Sequence, residues 1–384
     1  MTARLRARVA AARLWRVTVN PPYRADIVGS FLRPDAIKTA RADLAEGRID
    51  ADALREVEDA QIADLVRKQA DAGLRLATDG EFRRSWWHFD FFDGLDGVSI
   101  VETDHGLPFQ GAQTRQRAVQ VHDRIGFSAH PQLEHWRALQ PLAEAAGVQP
   151  KFSFPSPTVL DFRVEPQNIT GAYADRDEYV DDLVGAYRDA VKAFYDAGVR
   201  YLQFDDTAWA YLCSEVELER ARTERGIETD GLGERYASIL NRVLEDKPDD
   251  LVVTTHICRG NFRSTWISSG GYEPIAEQLF SVGYDGFFLE YDNDRSGGFE
   301  PLRFLPRGEQ SVVLGLITTK TGDLEDADAV KRRIDEAATF APLEQLALSP
   351  QCGFASTEEG NELTEDQQWA KIRAVVDIAA DVWK

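Results

Sequence analysis

Eight short apolar runs punctuate the chain, each closing on polar or small residues: ADIVGS (25–30), LRLATDGE (74–81), KFSFPSP (151–157), YLQFDD (201–206), LVVTTHIC (251–258), GFFLEYD (286–292), SVVLGLIT (311–318) and LALSPQCG (346–353). Most are continuous rather than alternating, as strands of a parallel sheet buried on both faces should be. Between them run amphipathic stretches with helical spacing. Residues 51–73 set Leu54, Val57, Ile62, Leu65, Val66 and Gln69 near one stripe and stop at Gly73, and residues 177–198 stop at Gly198. Residues 364–384 open with Thr364 and Gln367 in a capping-box pattern. Strand and helix alternate eight times, which predicts a (β/α)8 TIM barrel with its active site at the C-terminal strand ends. A doubly wound open sheet ranks second, because no GxGxxG follows a run.

One stretch breaks the alternation. Residues 94–149 hold two β-like pieces, GVSIVE and RAVQVHDRIGF, then a helical stretch around 131–147, and read as an excursion after strand 2 near the barrel mouth. With no repeat, low-complexity tract or linker to divide it, 23–384 is expected to be one barrel. Residues 1–22 read as a basic extension, expected to be poorly ordered; the first twenty carry five arginines and no acid.

Charge narrows the partners. Asp and Glu outnumber Lys and Arg 65 to 44 for a net charge of −21, which argues against a phosphate-binding face and hence against nucleic acid. No apolar run approaches the roughly 18 residues of a membrane span. The three cysteines, Cys213, Cys258 and Cys352, are too few and scattered for a disulfide framework, which implies a reducing, cytoplasmic setting with thiols free to bind metal. Whether the chain forms a homo-oligomer is left open.

The chemistry gathers at the strand ends. His256 and Cys258 are two apart in an extended run, so their side chains face the same way. Glu290 ends the sixth run and Cys352 the eighth, so a barrel would turn all four toward one mouth. Two thiolates, an imidazole and a carboxylate are zinc ligands by type, and zinc would hold a bound thiol as thiolate for alkyl transfer, with Glu290 the labile member. A Gly-Ser turn suits a carboxylate and strand-end acids suit an ammonium. Arg83, Arg84, Trp86, Trp87, Trp209 and Tyr211 could clamp a flat anionic molecule. Cys213, in AWAYLCSEV, has no such neighbours and reads as structural.

From about residue 23 to 384 the chain resembles the cobalamin-independent methionine synthase family, in particular its short single-barrel members, similar to the C-terminal catalytic half of the full-length enzyme. The H-x-C, E and C set is the most specific likeness. The resemblance implies Zn2+ on His256, Cys258, Glu290 and Cys352. It also implies a V/I-G-S motif at Val28, Gly29 and Ser30 for the amino acid carboxylate. A DGE motif at Asp79, Gly80 and Glu81, with a Q-x-D motif at Gln203 and Asp205, would take the ammonium. The function it implies is methyl transfer from a methyl-folate or methyl-corrinoid to homocysteine.

Two departures bear on the donor. The family carries a histidine after strand 7 that protonates the leaving folate nitrogen; here the stretch reads LGLITTKTGDLED, and no histidine follows His256. An acid such as Asp206 or Asp292 must then substitute, or the donor must be a corrinoid, whose cobalt leaves without a proton. The family's D-E-P after strand 4 reads DDT. Two other functions remain open: zinc-dependent alkylation of another small thiol, as in opening an epoxide with coenzyme M, and non-catalytic zinc or thiol binding.

Overall fold

The computed structural model describes residues 21–384 except 104–107, 110–111, 114–116, 165–168, 170, 262 and 266–267. Apart from Pro21 and Pro22, the basic extension lies outside the described residues. Six strands lie side by side in parallel and in chain order: Phe152–Pro155 (β3), Tyr201–Asp205 (β4), Val252–Ile257 (β5), Gly286–Glu290 (β6), Ser311–Ile317 (β7) and Leu346–Pro350 (β8). Two shorter segments close the ring. Residues 25–30 (β1) bridge to Leu348 of β8 through Ala25 and to Gly80 through Ser30. Leu76–Ala77 (β2) pairs in parallel with Gln149 and Pro150, just before β3. The result is the eight-stranded barrel that the alternation predicts. Every residue of β4, β6 and β8 is buried, which is why those runs are continuously apolar.

β2 is shorter than the run 74–81 suggests, and the cause lies in the preceding helix, Ala51–Asp71. Gln69, on that helix's buried stripe, donates to Thr78 O at 2.9 Å and accepts from Thr78 N at 3.0 Å. These bonds replace the sheet ladder at Thr78 and end the strand. The chain then turns through Gly80 and Glu81, both with left-handed φ, at 67° and 59°. A left-handed glutamate is uncommon and costs on the order of 1 kcal/mol, the kind of strain that accumulates at functional sites.

Outside the ring, Asp50, Asp175 and Thr364 cap the helices Ala51–Asp71, Arg176–Asp196 and Glu365–Val382, the last with the capping box its sequence shows. Inside it, buried Lys151 binds Asp26 Oδ1 at 3.1 Å and Ile27 O at 2.6 Å, while Tyr201 Oη donates to Asp26 Oδ2 at 2.8 Å. This network ties β1 to β4 and to Lys151, the residue that precedes β3. Removing one partner of a buried pair costs about 3–5 kcal/mol, so it fixes where β1 ends at Ser30. In the excursion, Asp96–Glu102 and Arg117–Gly126 form an antiparallel hairpin followed by the helix Gln132–Ala146. Arg124 of the hairpin binds Asp182 of the helix Arg176–Asp196 at 2.7 Å. Among the described residues, no helix is long and apolar enough to cross a membrane.

Candidate metal and amino-acid site

β5 and the loop after β8 deliver three soft ligands to one point. The ligand atoms of His256, Cys258 and Cys352 lie within 4.8 Å of one another, and the two sulfurs are 3.4 Å apart. His256 is buried, and neither ring nitrogen has a hydrogen-bond partner among the described residues. An unpaired buried imidazole beside two thiols is unfavourable unless something binds it, and this donor set fits a zinc ion. In the bare cluster the thiol–thiol contact pulls Cys352 well down and pushes Cys258 well up. Burial opposes a charge on His256, but Cys352, Asp205 and Glu290 together outweigh that and raise it. Glu290 stands outside this close triad. Its Oε1 accepts from Arg259 N at 3.0 Å, its Oε2 has no partner among the described residues, and burial raises its pKa.

Next to the triad lies the end expected to take an amino acid. Ser30 follows Gly29, whose φ of 139° excludes ordinary side chains. The Ser30 hydroxyl accepts from Ala355 N at 3.4 Å and keeps a proton to donate. Gly353 leaves it room: a Cβ there would lie 1.9 Å from Ser30 Oγ and 3.2 Å from Ser30 N. Gly353→Ala is therefore expected to weaken methionine binding about tenfold or more, the effect of losing roughly 1.4 kcal/mol, while zinc content stays at wild-type level; calorimetry and metal analysis check both.

Two acids complete that end. Gln203 Nε2 divides its donors between Val28 O at 2.9 Å and Asp205 Oδ1 at 2.7 Å, so it orients Asp205 from behind. Burial raises the pKa of Asp205 against the pull of His256. Burial lifts Glu81 to about 7, although Arg84 at 3.9 Å and Arg33 at 4.0 Å draw it down; Asp205 and Asp79 add to the rise. Glu81 therefore ionises as pH passes up through about 7, and only the ionised form attracts an ammonium. Methionine, whose thioether does not titrate, is expected to bind more tightly from pH 6 to pH 8, and Glu81→Gln to flatten that rise.

Val28, Ser30, Glu81, Asp205 and the triad line one narrow cavity of ≈ 40 Å³. Trp86, Trp87, His88, Arg163 and Thr207 are among the other residues that line it. His88 escapes a reading of the sequence because a histidine inside SWWHFDFF looks like one more packing ring.

Other expected residues are placed elsewhere. Arg83 turns outward to Glu58 at 3.2 Å and to Asp59, anchoring the loop to the helix Ala51–Asp71. Trp209 is fully buried, edge-on to Tyr236 at 6.1 Å. Asp206 faces away from the cavity, accepting from Thr158 at 2.5 Å and Ala208 N at 2.9 Å, and burial lifts it to about 6. Asp292 pairs with Arg295 at 3.7 Å and does not line the cavity either. Cys213 is buried, which pushes its thiol up to about 11.

The sequence profile described as "Cobalamin-independent synthase, Catalytic domain" matches residues 24–381. The chain belongs to this family. Two uncharacterized Bacillus subtilis (strain 168) proteins, YxjG and YxjH, are each 50% identical to it, over 373 residues (95% of this chain, 96% of YxjG) and 364 residues (94% and 95%). A Listeria monocytogenes protein, assigned provisionally as a vitamin-B12 independent methionine synthase, has 42% identity and a TM-score of 0.76 over 96% of this chain and all of that one. A B12-independent methionine synthase from Shewanella sp. W3-18-1, solved with selenomethionine, shares the fold at 19% identity and a TM-score of 0.68, covering 93% and 96% of the two chains. Family and fold make the protein a methionine synthase-like methyltransferase, matched along nearly its whole length.

Proposed function

We propose that the protein is a homocysteine S-methyltransferase forming methionine, with a zinc site on His256, Cys258 and Cys352. The observation that carries this reading is the convergence of that buried triad, the Ser30 hydroxyl and the carboxylates of Glu81 and Asp205 on one cavity. Bound at the triad, zinc would supply the Lewis acidity that keeps an acceptor thiol as thiolate at neutral pH.

The chain's own residues do the rest. Ser30 donates to the amino acid carboxylate, and Glu81 and Asp205 receive its ammonium, which points the sulfur toward the triad. Gln203 holds Asp205 in place, so the acceptor arrives already oriented and less entropy is lost at the reacting atoms. Burial of both acids removes competing water and strengthens their hold on a cation. The sulfur then forms its bond to the methyl carbon as the donor's bond to that carbon breaks and its electron pair leaves with the donor. An ammonium pocket at this depth favours an amino-acid thiol over a sulfonate thiol.

The donor is a methyl-folate or a methyl-corrinoid. Zinc-loaded protein supplied with homocysteine and isotopically labelled methyltetrahydrofolate or methylcobalamin is expected to yield labelled methionine from one of them. Label from neither donor would refute the assignment.

A further inference from the structure

The cavity lining carries two nitrogen groups that neither the triad nor the amino-acid pocket uses. His88 is fully buried, lines the cavity, and has no hydrogen-bond partner at either ring nitrogen among the described residues. Its ring is fixed by aromatic neighbours, with centroids 4.5 Å from Trp87 and 4.1 Å from Phe89, so it cannot swing away to find one. Arg163 closes the short helix Pro157–Arg163 after β3 and lines the same cavity. One of its terminal nitrogens, Nη2, donates to Tyr211 Oη at 3.3 Å, while its buried Nε has no partner among the described residues.

Each buried polar nitrogen left unpaired costs on the order of 1–3 kcal/mol. Two such groups lining one cavity mark a place where a ligand supplies the missing partners. Burial and the charge of Arg163 keep His88 neutral, so its ring offers one N–H and one lone pair. Arg163 offers only donors. The complementary ligand edge presents an acceptor to Arg163 and a mixed donor–acceptor face to His88. The proposed acceptor amino acid has Ser30, Glu81 and Asp205 for its polar groups, so the co-substrate is what remains to meet His88 and Arg163.

We infer that His88 and Arg163 form the recognition subsite for the methyl donor, gripping a polar edge of the fragment that leaves when the methyl departs. The subsite rests on the methyltransferase reading. It requires no proton transfer from His88, since a neutral imidazole positions a ligand by hydrogen bonding alone.

The test uses zinc-loaded full-length protein, with whichever labelled donor the wild type turns over. His88→Phe keeps a ring of similar shape and removes both nitrogens; Arg163→Met keeps the length and removes the charge. Both are expected to lower kcat/KM for the donor at least tenfold, while zinc content, melting temperature and KM for homocysteine stay within about twofold of wild type. Arg163→Lys is expected to restore part of the loss, and it keeps the test sound if the ring replacement fails to fold. Donor kinetics unchanged in the Arg163→Met protein, or an equal loss for homocysteine and donor, would overturn the subsite while leaving the methyltransferase reading intact. A wild type that makes no methionine from either donor overturns both.

Discussion

Cys352→Ala protein is expected to purify folded, without zinc and unable to form methionine. The Cys352 sulfur meets Cys258 at 3.4 Å and Ser356 at 3.9 Å, so truncating it leaves the backbone bonds of the β8 loop in place. What disappears is one of three soft ligands. Losing an outer-sphere partner of a metal ligand already lowers affinity by about 10- to 100-fold, and losing the ligand itself removes more. His256 and Cys258 alone would form a two-point site, too weak to keep zinc through dialysis. Metal analysis, a thermal melt and a methionine assay on one preparation check the three parts together. A folded, zinc-free Cys352→Ala enzyme with wild-type turnover would sink the metal assignment.

Asp205→Ala is expected to separate the two halves of the site. With Asp205 proposed to serve the amino-acid end, zinc content is expected to stay at the wild-type level. A charged hydrogen bond to the substrate ammonium contributes about 1.5–3 kcal/mol, so the homocysteine concentration needed for half-maximal rate rises roughly 10- to 150-fold. Gln203 keeps its bond to Val28 O, which limits the damage to the backbone of β1. A variant with unchanged homocysteine dependence would place the ammonium elsewhere, and one that also loses zinc would show that the halves are not independent.

The barrel is legible in the sequence because burial on both faces writes each strand as an unbroken apolar run, and the capping box of Thr364 and Gln367 is legible from its spacing. The grouping of His256, Cys258 and Cys352 is legible because two soft residues at i and i+2 in a strand share a direction, and a barrel brings distant strand ends together. Closely spaced polar pairs resist such reading unless the end of regular structure is known. Asp205 is the last residue of β4, so strand alternation sends Asp206 to the other side, where Thr158 and Ala208 occupy it. Arg83 and Arg84 sit in a turn with no period to follow; one faces Glu58 and the other lies 3.9 Å from Glu81. Gln69 looked like a weak member of an apolar stripe, and only the fold shows it terminating β2. His88 was hidden by its aromatic neighbours, because sequence gives no sign that a ring in such a run faces a cavity.

The central claim is that one cavity holds the acceptor's amino-acid end while its sulfur meets the metal triad. Zinc-edge X-ray absorption on the zinc-loaded protein, with and without homocysteine, tests it most directly. The account predicts that the count of sulfur neighbours around zinc rises by one with homocysteine and stays fixed with homoserine, which has the same amino-acid end but no sulfur. A shell that is identical with and without saturating homocysteine would contradict it.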